Sequence, residues 1–282
     1  MKRSFVFLAC VLFLLSFWAK GAEFRYGKGN FSVESDILGS SDKVEEDIST
    51  YSISEEHKNI FGSRLFYGFN LTFLSSKKEQ KIIDLYNTSY DPTPGYKPKM
   101  SYKLEGFDGQ IDIGFDLLSS EKGYLGFSGL LGISLPYIKN YNSDNNNNLT
   151  KQAIPDSKTK IKTYRVGGSI KAGYEIFPRI QIFGFISYAY QTGKVENDCW
   201  NIDASVNGTY FTAGGGIKAF LVKKKMKILF VPISPQLYLT AGYKYDKWTV
   251  KDAKINNIAL NVSKDDIIIT DSYGFLGVGY SF

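Results

Sequence analysis

The side chains that could carry out chemistry are few, and histidine is the scarcest of them. His57 is the single histidine of the 282-residue chain, and it follows Glu55 and Glu56. A Ser–His–Asp triad or a histidine-based zinc site would have to be built on this residue. We interpret His57 as a solvated histidine in a turn, and the sequence therefore predicts no catalytic site, no metal site and no cofactor.

Carboxylate pairs are the other candidates for chemistry. Asp265 and Asp266 are adjacent, and Asp112 and Asp116 are four residues apart. Paired carboxylates can transfer protons or bind calcium, but no segment has the Asp-x-Asp-x-Asp-Gly spacing of a calcium loop. We interpret these residues as solvated charges or as hydrogen-bonding partners within a folded interior.

Most of these residues lie in segments that alternate between bulky apolar side chains and small or polar ones. In residues 65 to 73, for example, Leu65, Tyr67 and Phe69 alternate with Gly68 and Asn70. A period of two residues is typical of a β-strand with one apolar face. We predict ten such strands, which begin near residues 24, 48, 65, 107, 124, 158, 180, 204, 230 and 267.

The last strand has the clearest pattern and ends on an aromatic residue. Its apolar face carries Leu276, Val278, Tyr280 and Phe282, and glycine and serine alternate with them. This ending resembles the closing strand of bacterial outer-membrane β-barrels, which typically ends in Phe and is read as an assembly signal by the barrel-insertion machinery. The resemblance implies contact with outer-membrane lipid and lipopolysaccharide, and location in the bacterial outer membrane.

The predicted fold is all-β: an antiparallel up-and-down transmembrane barrel of about ten strands, with eight or twelve possible. The connections alternate between short and mostly longer ones, as periplasmic turns and extracellular loops do in such barrels. A mean hydropathy of −0.18 fits a barrel, because only every second strand residue meets lipid. In a soluble barrel, the alternative, the apolar face would have to point inward.

The opposite strand faces carry charges of both signs. In a narrow barrel, opposite charges would pair across the interior, which predicts a filled lumen that also holds Phe183, Phe185, Phe220, Tyr238 and Phe275. The predicted lumen charge network consists of Asp112, Asp116, Arg165, Lys171, Glu175, Lys218, Lys244, Asp246 and Asp271.

The N-terminus has the pattern of a secretory signal peptide. Basic Lys2 and Arg3 precede an apolar run over residues 4 to 18, and small residues follow at Ala19 and Gly21. We predict a signal peptide over residues 1–21 and one barrel domain over residues 22–282, with cleavage after Ala22 or a permanent anchor as alternatives. Removing the segment lowers the formal charge from +6 to +3, which does not favour nucleic acid as a partner.

For function, the sequence favours a non-enzymatic outer-membrane barrel of structural or surface-interaction type. Extracellular loops predicted at residues 35–47, 75–103 and 139–157 would meet a ligand or surface that the sequence does not identify. One alternative is a small porin-like channel for ions or small solutes. A third hypothesis is an enzyme similar to the omptin-like proteases or the lipid A-modifying enzymes, which use a histidine near the outer rim, whereas His57 is predicted in a turn at the other end.

The C-terminal residue provides a first test. Phe282→Lys is expected to reduce recovery in the outer membrane more than deletion of residues 142 to 148. A lipid-facing Lys near the interface costs only ~0–1 kcal/mol, so a severe defect would indicate lost recognition by the insertion machinery. Equal recovery of the two variants, measured in isolated outer membranes, would contradict this role of the C-terminus.

Overall fold

The computed structural model consists of antiparallel strands wound into a closed ring. It describes residues 21–35, 42–57, 63–77, 79–82, 99–120, 122–142, 156–197, 199, 201–222, 226–228, 231–233, 236–255, 258–260 and 267–281. Among these residues, no helix is long and apolar enough to cross a membrane.

Fifteen strands occur in the described residues. They are β1 (Gly21–Ser35), β2 (Asp42–His57), β3 (Leu65–Ser76), β4 (Glu79–Ile82), β5 (Lys99–Ser119), β6 (Gly123–Ser134), β7 (Tyr137–Asn142), β8 (Ser157–Phe177), β9 (Ile180–Asn197), β10 (Ile202–Val222), β11 (Met226–Ile228), β12 (Val231–Ile233), β13 (Gln236–Ile255), β14 (Ile258–Leu260) and β15 (Ile267–Ser281). Ten of them form the ring in the order β1, β2, β3, β5, β6, β8, β9, β10, β13 and β15, and β15 pairs with β1. Short β4, β7 and β14 extend the ring strands, and β11 pairs only with β12.

The first and last strands close the barrel along their whole length. Gly21 lies opposite Ser281, and Ser35 lies opposite Ile267. A closed ladder pairs the backbone N–H and C=O groups within the protein. Lipid requires this pairing because it contains no water that could form hydrogen bonds with unpaired groups. The predicted ten-strand antiparallel barrel, with its last strand paired to its first, is confirmed.

The outer face of the barrel is apolar over a broad belt. Ile113 is 63% exposed and Leu276 69%, whereas Tyr210 on the inside is fully buried. On β8 the belt runs from Tyr164 to Ile176, which corresponds to roughly 30 Å of height for a strand tilted by about 40°. This height matches the hydrocarbon thickness of a bilayer, and so much exposed apolar surface is rare on a soluble monomer.

Aromatic rings mark one edge of this belt, which we call the upper edge. Tyr26, Tyr51, Phe73 and Phe107 are consecutive cross-strand partners on β1, β2, β3 and β5. Their ring centroids are 5.2 Å apart for Tyr26 and Tyr51 and 6.2 Å apart for Phe73 and Phe107. Strands β8, β9, β10 and β13 contribute Tyr164, Tyr190, Phe211 and Tyr245. Such aromatic girdles lie at the membrane interfaces of outer-membrane barrels. We call the opposite end of the barrel, with Gly21 and Ser281, the lower end.

Above the girdle the two faces of the strands exchange character. On β2, Tyr51 points outward in the belt, but Ile48, higher on the same strand, is buried inside. Ile48 packs with Phe31, Leu74 and Leu104 in a core within the upper barrel. The outward positions next to the girdle are polar, as at Lys28, Ser49, Ser75 and Glu105. In the upper part of the barrel, the outer face is therefore polar, as contact with water requires, and the apolar face points inward.

This exchange explains why several predicted strand limits were wrong. β2 begins at Asp42 rather than near residue 48, and β5 begins at Lys99 rather than near residue 107. Within the loop predicted at residues 75–103, Glu79–Ile82 form the strand β4 beside β5. The predicted ninth strand is divided, since β12 pairs with β11 and β13 begins only at Gln236.

Leu74 tests whether the upper interior is a hydrophobic core. Leu74→Ala is expected to lower the free energy of unfolding by about 2–4 kcal/mol, because it leaves a cavity among Phe31, Ile48 and Leu104. The control, Ser75→Ala, changes an outward position on the same strand and is expected to cost less than about 0.5 kcal/mol. Equal costs in urea unfolding of the lipid-reconstituted protein would contradict the assignment of Leu74 to a core.

Candidate functional site: the charged lumen

The lower lumen contains a cluster around Glu23 that four strands position. Arg25 Nε donates to Glu23 Oε1 at 2.7 Å, and Tyr238 Oη donates to Glu23 Oε2 at 3.1 Å. Lys218 Nζ lies 3.3 Å from the same carboxylate, and the Arg25 guanidinium lies 4.7 Å from the ring centroid of Phe275. One acidic side chain is thus surrounded by two cations and a hydroxyl, all on strands β1, β10 and β13, with the Phe275 ring on β15.

A cavity of about 520 Å³ lies beside this cluster at the lower end of the barrel. Its walls include Glu23, Arg25, Lys218 and Tyr238, together with the rings of Phe183, Phe185 and Phe220. Gly21, Gln236 and Tyr280, at the lower ends of three strands, also line it. The cavity is therefore the lower compartment of the lumen.

A second ion pair lies in the wall of the same cavity. Lys171 Nζ on β8 donates to Asp112 Oδ2 on β5 at 2.8 Å, and Gln110 donates to the same carboxylate at 3.2 Å. The lysine nitrogen also lies 5.8 Å from the ring centroid of Phe66, which is almost fully buried. The ion pair therefore lies next to a buried apolar ring inside the lumen.

The central lumen is organised by Arg165. Its guanidinium makes two hydrogen bonds of 2.6 Å to the two oxygens of Asp108, the paired geometry in which Arg and carboxylate interact most strongly. Ser134 donates a further hydrogen bond of 2.9 Å to Asp108. Gly132 lies directly opposite Arg165, and any side chain there would collide with the guanidinium, since an added Cβ would lie 2.4 Å from Arg165 Nε. Arg165 is 3% exposed.

Tyr210 connects Arg165 to a second cluster. The Arg165 guanidinium lies 4.0 Å from the centroid of the Tyr210 ring, and Tyr210 Oη donates to Asp246 Oδ1 at 2.6 Å. Lys244 Nζ lies 2.6 Å from Asp246 Oδ2. Asp271 is the direct cross-strand partner of Asp246, so the single lysine compensates two buried carboxyl groups. These side chains extend from β8 through β10 and β13 to β15.

The structure brings most of the predicted lumen charges together, but in three groups rather than one. Asp112 pairs with Lys171, whereas Lys244, Asp246 and Asp271 lie together beside Tyr210 and Arg165. Lys218 belongs to the lower cluster. Asp116 is buried below Asp112, next to Phe66. Glu175 lies outside the three groups, and its carboxylate accepts a 3.4 Å hydrogen bond from the backbone N–H of Arg179 in the lower turn.

Sequence reasoning missed four members of these groups: Glu23, Arg25, Asp108 and Tyr210. Asp108 has the same parity as Asp112 and Asp116 on β5, so the alternation already placed it inward. Glu23 and Arg25 alternate with outward Phe24 and Tyr26, a signal that the glycines of β1 obscured. Tyr210 lies in a strand whose apolar residues occupy both faces, and no local pattern distinguishes it.

Of the remaining predicted residues, His57 and the end of β15 lie at the lower end of the barrel. His57 is the last residue of β2, where its backbone pairs with Tyr67, at the same end of the barrel as Gly21. Leu276 and Val278 face outward, and Tyr280 is half-buried; Phe282, Asp265 and Asp266 lie outside the described residues. No group of three or more His, Cys, Asp or Glu side chains suited to a metal ion occurs in the part of the chain that the structure describes.

Comparison with known proteins identifies the fold. No protein-family model and no curated protein matches the sequence. Among solved structures, the outer membrane protease OmpT from Escherichia coli is similar with a TM-score of 0.51 and 10% identity, over 93% of this chain and 97% of that one. Neisserial surface protein A (TM-score 0.35, 12% identity, 93% and 97% covered) and Ail of Yersinia pestis (0.35, 11%, 94% and 99%) are more distant in shape.

The likeness to OmpT concerns the fold, because 10% identity carries no information about activity. Together with the closed ring and the apolar outer belt, it shows that the chain has the fold of bacterial outer-membrane β-barrel proteins.

The Arg165–Asp108 pair provides a test of the central lumen. Asp108→Ala leaves a buried guanidinium without its counter-ion and is expected to lower the free energy of unfolding by about 3–5 kcal/mol. The double variant Asp108→Leu, Arg165→Met removes both charges and is expected to lose less than the single variant. The measurement is urea unfolding in lipid vesicles, followed by tryptophan fluorescence.

Asp203 supplies the matched control for this test. Its ion pair with Lys194, at 3.3 Å, is exposed on both sides. Asp203→Ala is therefore expected to cost less than about 1 kcal/mol. If Asp108→Ala costs no more than Asp203→Ala, the central ion pair is not the buried interaction described above.

Proposed function

We propose that the protein is a non-enzymatic outer-membrane barrel of structural or surface-interaction type, with a lumen that is closed to continuous solute flow. It is exported through a cleaved signal peptide and inserted by the barrel-insertion machinery, which reads the closing strand. Its upper wall and loops contact molecules outside the cell.

The observation that carries this proposal is the layer of side chains around Arg165. Arg165, Tyr210 and Asp246 come from three strands, contact one another, and are each at most 3% exposed. Leu130, which packs in the same cluster as Tyr210, is buried to the same degree. A barrel of ten strands is narrow, whereas open porins have about 16 strands, so one layer of large side chains suffices to fill its cross-section.

The upper barrel supports a role at the cell surface. Above the aromatic girdle the strands continue with a polar outer face and an apolar core, which gives a rigid projection beyond the bilayer. Rigid scaffolds that present loops are common recognition devices, because the connecting segments can vary without loss of the core. The partner of this surface is a molecule outside the cell whose chemistry the loops determine.

A small channel is the second candidate function, and the lower cavity favours it. About 520 Å³ of space is lined by Glu23, Arg25 and Lys218, whose charges could bind a small polar solute. Passage would then require the Arg165 layer to move. In our proposal this layer stays closed, because its charges are buried and mutually paired.

An enzymatic function is not part of the proposal. OmpT is described as a protease, but the likeness to it is one of fold. The single histidine ends β2 at the lower end, away from the surface where an outer-membrane enzyme would meet its substrate. If the purified protein had protease or lipase activity that His57→Ala abolished, this part of the proposal would be wrong.

Conductance tests the closed lumen. The purified protein in planar bilayers is expected to show no steady open conductance. The double variant Arg165→Gly, Tyr210→Gly removes two large side chains of the central layer and is expected to conduct, which shows that insertion and detection are adequate. A steady open conductance of the unsubstituted protein would contradict the closed lumen and favour the channel.

A further inference from the structure

On one side of the lower cavity, a single carboxylate lies between two cations. Glu23 on β1 pairs with Arg25 at 2.7 Å and with Lys218 on β10 at 3.3 Å, and the Glu23 side chain is 4% exposed. One negative charge compensates only one of the two positive charges. This group therefore has an excess charge of +1 at the edge of the cavity.

The other carboxylates of the cavity wall lie away from this group. Asp112 pairs with Lys171 at 2.8 Å, and Glu55 accepts a hydrogen bond from Tyr67 Oη at 3.4 Å. Glu56, next to the end of β2, lies at the lower rim. The excess positive charge is therefore local to the side of the cavity that Arg25 and Lys218 form.

Most of the hydrogen-bond donors of Arg25 have no acceptor among the residues that the structure describes. A guanidinium has five N–H groups, and Arg25 uses the one on Nε for Glu23. The Arg25 side chain is only 12% exposed and lines the cavity. Donors that are buried without an acceptor destabilise a folded protein, so the other four N–H groups require water or a ligand in the cavity.

The wall beside the two cations consists of the aromatic rings of Phe183, Phe185, Phe220, Tyr238 and Phe275. The Arg25 guanidinium lies 4.7 Å from the ring centroid of Phe275. Lys218 Nζ lies 5.3 Å from the ring centroid of Phe183 and 4.7 Å from that of Tyr238. Cations attract the faces of aromatic rings at such distances, which holds both charged groups in place. Their donors therefore open onto a space with apolar walls.

Two inward glycines of β15 leave room for this arrangement. A Cβ at Gly279 would collide with the ring of Tyr238, and a Cβ at Gly277 would lie 3.0 Å from Arg25 Cγ. Larger residues at these two positions would push the phenol and the guanidinium out of their places. The closing strand of the barrel thus accommodates two of the side chains that form the cavity wall.

The size and chemistry of the cavity define the class of ligand that fits it. Its volume of about 520 Å³ is typical of small-molecule sites, which combine apolar walls with a few polar groups. The free N–H groups of Arg25 match a carboxylate, which a guanidinium binds through two parallel hydrogen bonds. An excess charge of +1 suits a monoanion, and the aromatic wall suits an apolar body.

We propose that the lower cavity is a binding site for a small monocarboxylate with an aromatic or short aliphatic body. The carboxylate contacts Arg25 and Lys218, and the body lies against Phe183 and Phe220. The ligand enters from the lower end, because the Arg165 layer lies above the cavity. The inference goes beyond the proposed function: a closed lumen and a conducting one could both hold this ligand, so binding and conductance test separate claims.

Isothermal titration calorimetry of the purified protein in non-ionic detergent micelles tests this site, with empty micelles as the blank. The probe is 3-phenylpropanoate. The comparison ligands are 3-phenylpropanamide, which has the same body without the charge, and acetate, which has the charge without the body. The protein is expected to bind the probe at one site per chain and at least tenfold more tightly than either comparison ligand, because a hydrogen bond to a charged group contributes about a factor of ten or more.

Arg25→Gln and Lys218→Gln are made separately, so that Glu23 keeps one cation in each variant. Each is expected to weaken binding of the probe about tenfold. Phe183→Leu keeps every charge and is expected to weaken it about threefold, through the lost aromatic contact. The control is Lys194→Gln, which changes a lysine whose side chain is 56% exposed and which does not line the cavity. Its affinity for the probe is expected to stay within about twofold.

Heat-modifiable migration confirms that each variant folds. If a charge variant does not fold, Phe183→Leu and the comparison of ligands decide the question. Three results would overturn the proposal: no saturable binding of 3-phenylpropanoate, equal affinity for 3-phenylpropanamide, or unchanged affinity for the probe in the folded cavity variants.

Discussion

The pairing of β1 with β15 is the interaction on which the rest of the structure depends. An open sheet of this length would leave two rows of backbone N–H and C=O groups unpaired, and each such group costs several kcal/mol in lipid. Full-length pairing from Gly21 to Ser35 removes both edges at once. Closure also determines where every side chain points, because the residues of each strand then alternate between a single interior and a single exterior.

Closure and the membrane together explain the vertical order of the interior. Within the apolar belt, the outer face must be apolar, so polar side chains collect inside and need partners there. The Glu23 and Asp112 groups, which line one cavity, and the Arg165 group meet this requirement. Above the girdle the outside is water, so the apolar residues turn inward, as Phe31, Ile48 and Leu74 do. Lys158, Lys160 and Lys162 on β8 lie at the boundary between the two regions, just above Tyr164 of the girdle.

The sequence carried enough information to predict the fold and many of the lumen residues. Alternation over β5, β8 and β15 was sufficient to place Asp112, Arg165 and Asp271 inside. Alternation was not sufficient above the girdle. The apolar residues change from the outer to the inner face there while the strand continues, and we interpreted this change as the end of the strand and the start of a loop. Alternation also does not predict the register between strands. Arg165 pairs with Asp108 rather than with Asp112 because of the way β5, β6 and β8 align. Lys158, Lys160 and Lys162 were visible in the sequence, but only the register places Lys103 and Lys139 beside them.

The central claim is that the membrane ends at the aromatic girdle and that the strands continue above it as a water-exposed barrel. Spin labels on the outer face of β8 test it most directly, in a Cys199→Ser background with the protein reconstituted in bilayers. Labels at positions 166, 170 and 174 are expected to collide with oxygen and be shielded from a water-soluble nickel complex, and labels at positions 158, 160 and 162 are expected to show the reverse. Lipid-like accessibility at all six positions, or water-like accessibility at all six, would contradict the account.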